Sequence, residues 1–171
     1  MKKQLESLRI ACRNPSTRDK LALLLKERGS AAGVELKWGF RRVPLSRGRH
    51  HGGYVCAFRG QPLLRVESAL ERHVLRALAA DPGCEALATQ PVTVQWTWRG
   101  TLRRYTPDVL VMLCELPEPW CAVGLERLSL VEVKPPRFSV DDDLWAERVR
   151  VIKQTLNMPL VRLATLPEGL S

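Results

Sequence analysis

Cysteine is sparse and shows no pairing pattern. Only Cys12, Cys56, Cys84, Cys114 and Cys121 occur. An odd count with no C-x-x-C spacing argues against a disulfide framework and against a zinc knuckle. Long hydrophobic runs are missing as well. Leu21 to Leu25 is typical of the longest, far short of the ~20 residues that a bilayer-spanning helix needs. Met1-Lys2-Lys3 opens as a signal peptide does, but Gln4, Glu6, Arg9 and Arg13 leave no apolar stretch behind it. Nor is there a strongly basic amphipathic helix with aromatic anchors, the mark of a membrane-surface protein. No internal repeat and no low-complexity tract is found. The expectation from these absences is a protein of a reducing cytoplasm with no membrane partner.

What is present is globular. The chain has 171 residues and a mass of 19.3 kDa, the size of one domain or of a small domain with a lobe. Hydrophobic residues make up 45% and charged residues 26%, so a core is feasible and wholesale disorder is not expected. The net charge of +9 is unevenly spread. Residues 1–60 hold 14 basic and 4 acidic residues, whereas 61–171 hold 13 basic and 14 acidic. The first region is thus a polycation and the second nearly neutral. A concentrated positive lobe attracts a polyanion through counterion release, and nucleic acid is the usual one. The division expected is a basic helix-and-loop region over 1–60 and a catalytic core over 61–171.

The densest positive stretch is Phe40 to Gly53, with Arg41, Arg42, Arg47, Arg49, His50 and His51 among Gly, Pro and Ser. That composition predicts a loop whose guanidinium forks grip phosphates. Adjacent histidines point apart in an extended chain and have no third ligand nearby, so His50 and His51 are read as phosphate contacts rather than a metal pair. Arg103 and Arg104 join the candidate DNA contacts.

Periodicity organises the rest. Ser16-Thr17-Arg18-Asp19 starts a helix that ends near Gly29. Residues 30–60 read as loop with short strands. Leu70, Val74, Leu75 and Leu78 recur at helical spacing until Asp81-Pro82-Gly83 stops them. Val92 to Trp98 alternates as a strand does, and Arg99-Gly100 turns the chain. A second strand is expected from Leu102 to Cys114, then a loop over 115–124. A third, buried strand runs from Leu128 to Val133. Acids at Asp141, Asp142 and Asp143 complement the dipole of a helix reaching about Leu156, and Pro159 to Ala164 is a last strand. From residue 66 the order is helix, three strands, helix, strand in one sheet. The final helix is a crossover that makes the last two strands parallel. The fold class is α/β, a mixed central sheet flanked by helices.

Three places carry polar residues that a fold alone does not ask for. Thr106-Pro107-Asp108 lies within the second strand, where Pro needs an edge or a bulge. Glu132 and Lys134 flank Val133 on one strand face. Glu71 sits on the upstream helix, sharing a face with Glu67 by i,i+4 spacing. Two carboxylates at neighbouring strand ends with a lysine beside one suit a hard divalent cation such as Mg²⁺ or Mn²⁺. Such a cation binds a phosphate oxygen and lowers the pKa of a water, while the lysine orients the water or the phosphorane. The same spacing also arises in a solvated turn with a surface Glu–Lys pair. The order of elements around it favours the site.

At these residues the sequence resembles the PD-(D/E)xK nuclease superfamily, and within it the TnsA-like endonuclease subunits of heteromeric transposases. The residues that carry the resemblance are Glu67-Ser68-Ala69-Leu70-Glu71, Gln90-Pro91, Arg104-Tyr105-Thr106-Pro107-Asp108 and Val131-Glu132-Val133-Lys134-Pro135. They match the family's E-S-x-L-E, Q-P, R-Y-T-P-D and V-E-V-K-P in order and spacing, over roughly residues 40–165. The resemblance implies a restriction-endonuclease-like core with a basic N-terminal extension. It puts Glu71 at the helical acid, Asp108 at the central metal ligand, Glu132 at the second acid and Lys134 at the lysine. The Val133 carbonyl becomes a further ligand of the cation, and Glu71 belongs to the same metal site. Some relatives carry Gln where Glu132 stands, so this chain keeps the full set of charges.

The implied activity is Mg²⁺-dependent cleavage of the 5′ strands of double-stranded DNA at transposon ends, with Mn²⁺ as a substitute. A separate DDE transposase subunit would cut and join the 3′ ends. Larger relatives continue into a C-terminal helical domain that engages an ATPase regulator and the transposase. The residues here end at Ser171, so a regulator contact is the least direct implication. The alternatives are a stand-alone nuclease in restriction, defence or repair, and a DNA-binding adaptor with an inactive nuclease fold.

Overall fold

The computed structural model describes residues 8–26, 28–29, 31–39, 52–136 and 141–170. In chain order the strands are β1 (Ile10–Cys12), β2 (Val34–Trp38), β3 (Gly53–Val55), β4 (Leu64–Val66), β5 (Cys84–Thr89), β6 (Val92–Trp98), β7 (Thr101–Tyr105), β8 (Val109–Leu113), β9 (Leu128–Val133) and β10 (Leu160–Leu163). The helices are α1 (Pro15–Lys26), α2 (Ala69–Ala80), α3 (Glu118–Ala122) and α4 (Asp142–Leu156). The candidate phosphate-gripping residues Arg41, Arg42, Arg47, Arg49, His50 and His51 lie outside the described residues.

A five-stranded sheet in the order β1-β5-β8-β9-β10 forms the centre. Its first three pairings are antiparallel, and β10 joins β9 in parallel. The parallel step follows from α4, which carries the chain from one end of β9 back to the start of β10. Both faces of the sheet are covered, which is why β8 and β9 read as continuous apolar runs. Val109, Val111, Val131 and Val133 pack against Val74, Leu75 and Leu78 of α2. Their alternates Leu110, Met112 and Leu130 share a core with Leu21 and Leu25 of α1 and Ile152 and Leu156 of α4. Truncating one such leucine to alanine costs about 2–5 kcal/mol. A second sheet, β2-β6-β7, is antiparallel and buries Val92, Val94 and Trp96 in that same core. A ribbon of β3 and β4 completes the strands described.

The mixed sheet flanked by helices stands as expected, and so does the parallel β9–β10 pair. The expected count of strands does not. Five strands, not three, lie between α2 and α4, and they divide between two sheets. β5 is made of Cys84-Glu85-Ala86-Leu87-Ala88-Thr89, largely residues that favour helix, and burial between two neighbours overrides that preference. The run from Leu102 to Cys114 is two strands rather than one. Pro107 lacks an N–H and cannot continue a paired strand, so β7 ends at Tyr105 in one sheet and β8 begins at Val109 in the other. The expected loop over 115–124 holds the one-turn α3, with Pro119 in its first turn.

The local signals for turns and caps are met. Arg99 and Gly100 both have positive φ, 49° and 72°, the conformation of a tight two-residue hairpin whose twist matches its strands. Asp141 caps α4 by accepting from the amides of Asp143 and Leu144. No helix among the described residues is long and apolar enough to cross a membrane.

Candidate active site at the junction of two sheets

The break at Pro107 puts Asp108 at the seam between the sheets. Val109 pairs with Val131 and Leu110 with Leu130, so one further step sets Asp108 opposite Glu132. The amide of Asp108 donates to the Val131 carbonyl over 3.0 Å, and the Val133 amide donates to Asp108 Oδ2 over 2.8 Å. Parity along β8 and β9 turns both carboxylates to the face shared with Leu110 and Leu130, towards the second sheet and α4.

Glu132 is only 3% exposed, and such an acid needs partners. Tyr105 Oη donates to its Oε2 over 2.7 Å, and Lys134 Nζ stands 3.4 Å from its Oε1. The expected shared face of Glu132 and Lys134 is therefore present. Lys134 lies just beyond β9, its amide bonded to the Leu163 carbonyl at 3.0 Å, and its side chain is 42% exposed. Burial first, then the charges of Glu132 and Glu71, hold the Asp108 carboxyl well above the usual carboxylate range. Burial and Glu132 together push the Tyr105 phenol well above its ordinary value.

Glu71 takes another part. Its Oε2 accepts from the Glu67 amide at 2.8 Å and its Oε1 from Ser68 Oγ at 3.0 Å, while Ser68 Oγ accepts from the Glu71 amide. This is a variant of the capping box at the start of α2, with the return bond made to the amide one residue before the N-cap Ser68. Both oxygens of Glu71 are thereby engaged, although its charge still reaches Asp108. Glu67 precedes the helix and turns its side chain to the cavity instead. The cavity holds about 240 Å³ and is bordered by Glu67, Asp108, Glu132, Lys134, Arg104 and Arg148, among others. Gln90 is left-handed at φ 48°, an uncommon state for a residue with a side chain. Its amide donates to the Asp108 carbonyl at 2.8 Å, and its side-chain amide donates to Glu67 Oε1. That double role links Gln90 to both Asp108 and Glu67.

The two DNA-contact candidates that are described part company. Arg104 is exposed at the cavity, and Arg103 on the opposite face of β7 lies 5.5 Å from the Trp98 ring centre. Sequence reasoning passed over Glu67 as a cavity residue, and Gln90, Tyr105 and Arg148 altogether as site residues. Gln-Pro and Arg-Tyr-Thr-Pro-Asp were visible as motifs, but nothing in the sequence marks Arg148.

Among the described residues, no group of three or more His, Cys, Asp or Glu is arranged to hold a metal ion. The pair Asp108 and Glu132 has a narrower fitness. Two facing carboxylates, one of which raises the cost of ionising the other, form a donor set suited to a hard cation. No family model matches this chain, and no curated protein matches it.

Proposed function

We propose that this chain is a metal-dependent DNA endonuclease subunit of a heteromeric transposase, built on a restriction-endonuclease-like core and cutting the 5′ strands at transposon ends. One observation carries the reading: Asp108 and Glu132 face each other across β8 and β9, with Lys134 on Glu132, at one cavity. Asp108 and Glu132 would hold Mg²⁺ or Mn²⁺ with the Val133 carbonyl. Such a cation supplies charge for the phosphate oxygens and a water of lowered pKa. The chain's own part is positional. The Val133 amide fixes Asp108, and Tyr105 fixes Glu132. Lys134 brings a cation to a reacting phosphate at the cavity mouth, where its effect on developing charge is greatest.

The partners proposed are double-stranded DNA, a DDE transposase subunit and, through it, an ATPase regulator. The location proposed is the cytoplasm. The positive charge of residues 1–60 supports the DNA partner. The test is strand cleavage on paired transposon ends with the partner transposase and Mg²⁺ or Mn²⁺. Wild type cuts the 5′ strands, and Asp108→Ala loses cleavage and Mn²⁺ binding together. A wild type that cuts nothing in that mixture would favour the DNA-binding adaptor. A wild type that cuts without any transposase would favour a stand-alone nuclease.

A further inference from the structure

We infer that Arg148 is a phosphate-binding residue of this cavity. The inference rests on the nuclease reading and extends it to a residue that neither motif nor spacing singled out.

Arg148 projects from α4 to the cavity wall. Its guanidinium carbon lies 4.5 Å from the centre of the Tyr105 ring. A guanidinium stacked on a ring keeps its N–H bonds parallel to that ring. The ring contact is made by the cation over the aromatic face, and Arg148 borders the cavity beside it. Its charge is also unspent. The adjacent Glu147 is occupied by Arg150, with two bonds of 2.7 Å. Glu132 is occupied by Tyr105 and Lys134. No ion pair to Arg148 exists among the described residues. Its Nε is buried and has no acceptor there either. A buried donor without a partner is costly and rare.

A rigid fork with free donors is what a phosphodiester oxygen pair requires. The neighbouring acids repel such a group unless cations stand beside them, and Lys134 and Arg104 border the same cavity. Tyr105 joins the two functions: its ring holds the guanidinium and its hydroxyl holds Glu132. The plain structural alternative is that Arg148 only props Tyr105, and the two readings differ in what they predict.

The test uses the whole chain and a short fluorescent DNA duplex, with binding measured by anisotropy over a salt series in EDTA. Mn²⁺ binding is measured separately by calorimetry. Arg148→Gln should weaken duplex binding by roughly tenfold and lower the salt slope by about one, with Mn²⁺ binding unchanged. Arg148→Lys keeps the charge and loses the fork, so its slope should stay at the wild-type value while affinity falls. It also carries the test if Arg148→Gln does not fold. Wild-type duplex affinity and slope in Arg148→Gln would overturn the inference and leave the nuclease reading intact. So would a loss of Mn²⁺ binding with the slope unchanged, the signature of a prop. A wild type that binds neither duplex nor Mn²⁺ sinks the nuclease reading and this inference with it.

Discussion

The amide of Val133 donates to Oδ2 of Asp108 across the β8–β9 seam. With the Asp108 amide on the Val131 carbonyl and Tyr105 on Glu132, this bond ties the two motif segments of the candidate site together, and it fixes one carboxylate oxygen of Asp108 beside the acid of Glu132. The geometry is costly to the fold, because the Asp108 carboxylate stands beside the buried acid of Glu132. Its energetic consequences can be measured without any substrate.

Asp108 should destabilise the metal-free protein at neutral pH. Its native carboxyl titrates well above the ordinary value of about 3.9. Between the ordinary and the raised value the native state holds more protons than the unfolded chain, so stability falls as pH rises through that window. Below about 3.9 the penalty is absent. Asp108→Asn keeps an acceptor for the Val133 amide and removes the charge. In EDTA at pH 7 it should melt higher by roughly 2–4 °C, about 1 kcal/mol for a chain of this size. At the acid end the difference should close. A lower melting temperature at pH 7 contradicts the argument.

Tyr105→Phe should cost about 1–3 kcal/mol in urea unfolding, since it leaves an oxygen of the buried Glu132 without its donor. The loss should shrink when Glu132→Gln is added, because the charge that needed the donor is gone. Equal losses in both backgrounds would place the role of Tyr105 in packing alone.

The two acids at the start of α2 should separate cleanly. Glu71→Ala removes a capping box and should cost about 1 kcal/mol of stability with little change in Mn²⁺ affinity. Glu67→Ala removes the carboxylate that borders the cavity. It should weaken Mn²⁺ binding by about tenfold with stability nearly unchanged. Calorimetry that finds the reverse pattern assigns the cavity to Glu71.

Lys134→Ala should keep duplex and Mn²⁺ binding while cleavage falls by roughly 10²–10³, the usual loss when one donor to a developing charge is removed. Cleavage at the wild-type rate would reduce Lys134 to a partner for Glu132.

Much of the fold could be read from sequence where one signal dominated. β9, β10 and α4 announced themselves by apolar runs, a double proline and three aspartates at a helix start. β5 did not, because Glu85, Ala86, Leu87 and Ala88 suit a helix and only its neighbours make it a strand. Asp108, Glu132 and Lys134 were legible as a pattern, and the structure brings them together. Glu67 and Glu71 share a face by spacing, but which of them opens to the cavity depends on cap bonds that spacing does not encode. Arg148 is one of several charges on α4, and only the tertiary stack on Tyr105 distinguishes it.

The central sheet also has a consequence for how the chain is made. Ile10 waits for Ala88 before β1 has a partner, and β9 stays an open edge until Leu160–Leu163 has been synthesised. The β6–β7 hairpin can close at once, but the strands at Asp108 and Glu132 need β5 on one side and β10 on the other, and β5 must also capture β1. Such long-range closure is slow and leaves sticky edges meanwhile. A nascent chain therefore carries Glu67, Asp108 and Glu132 before β10 closes the sheet beside them.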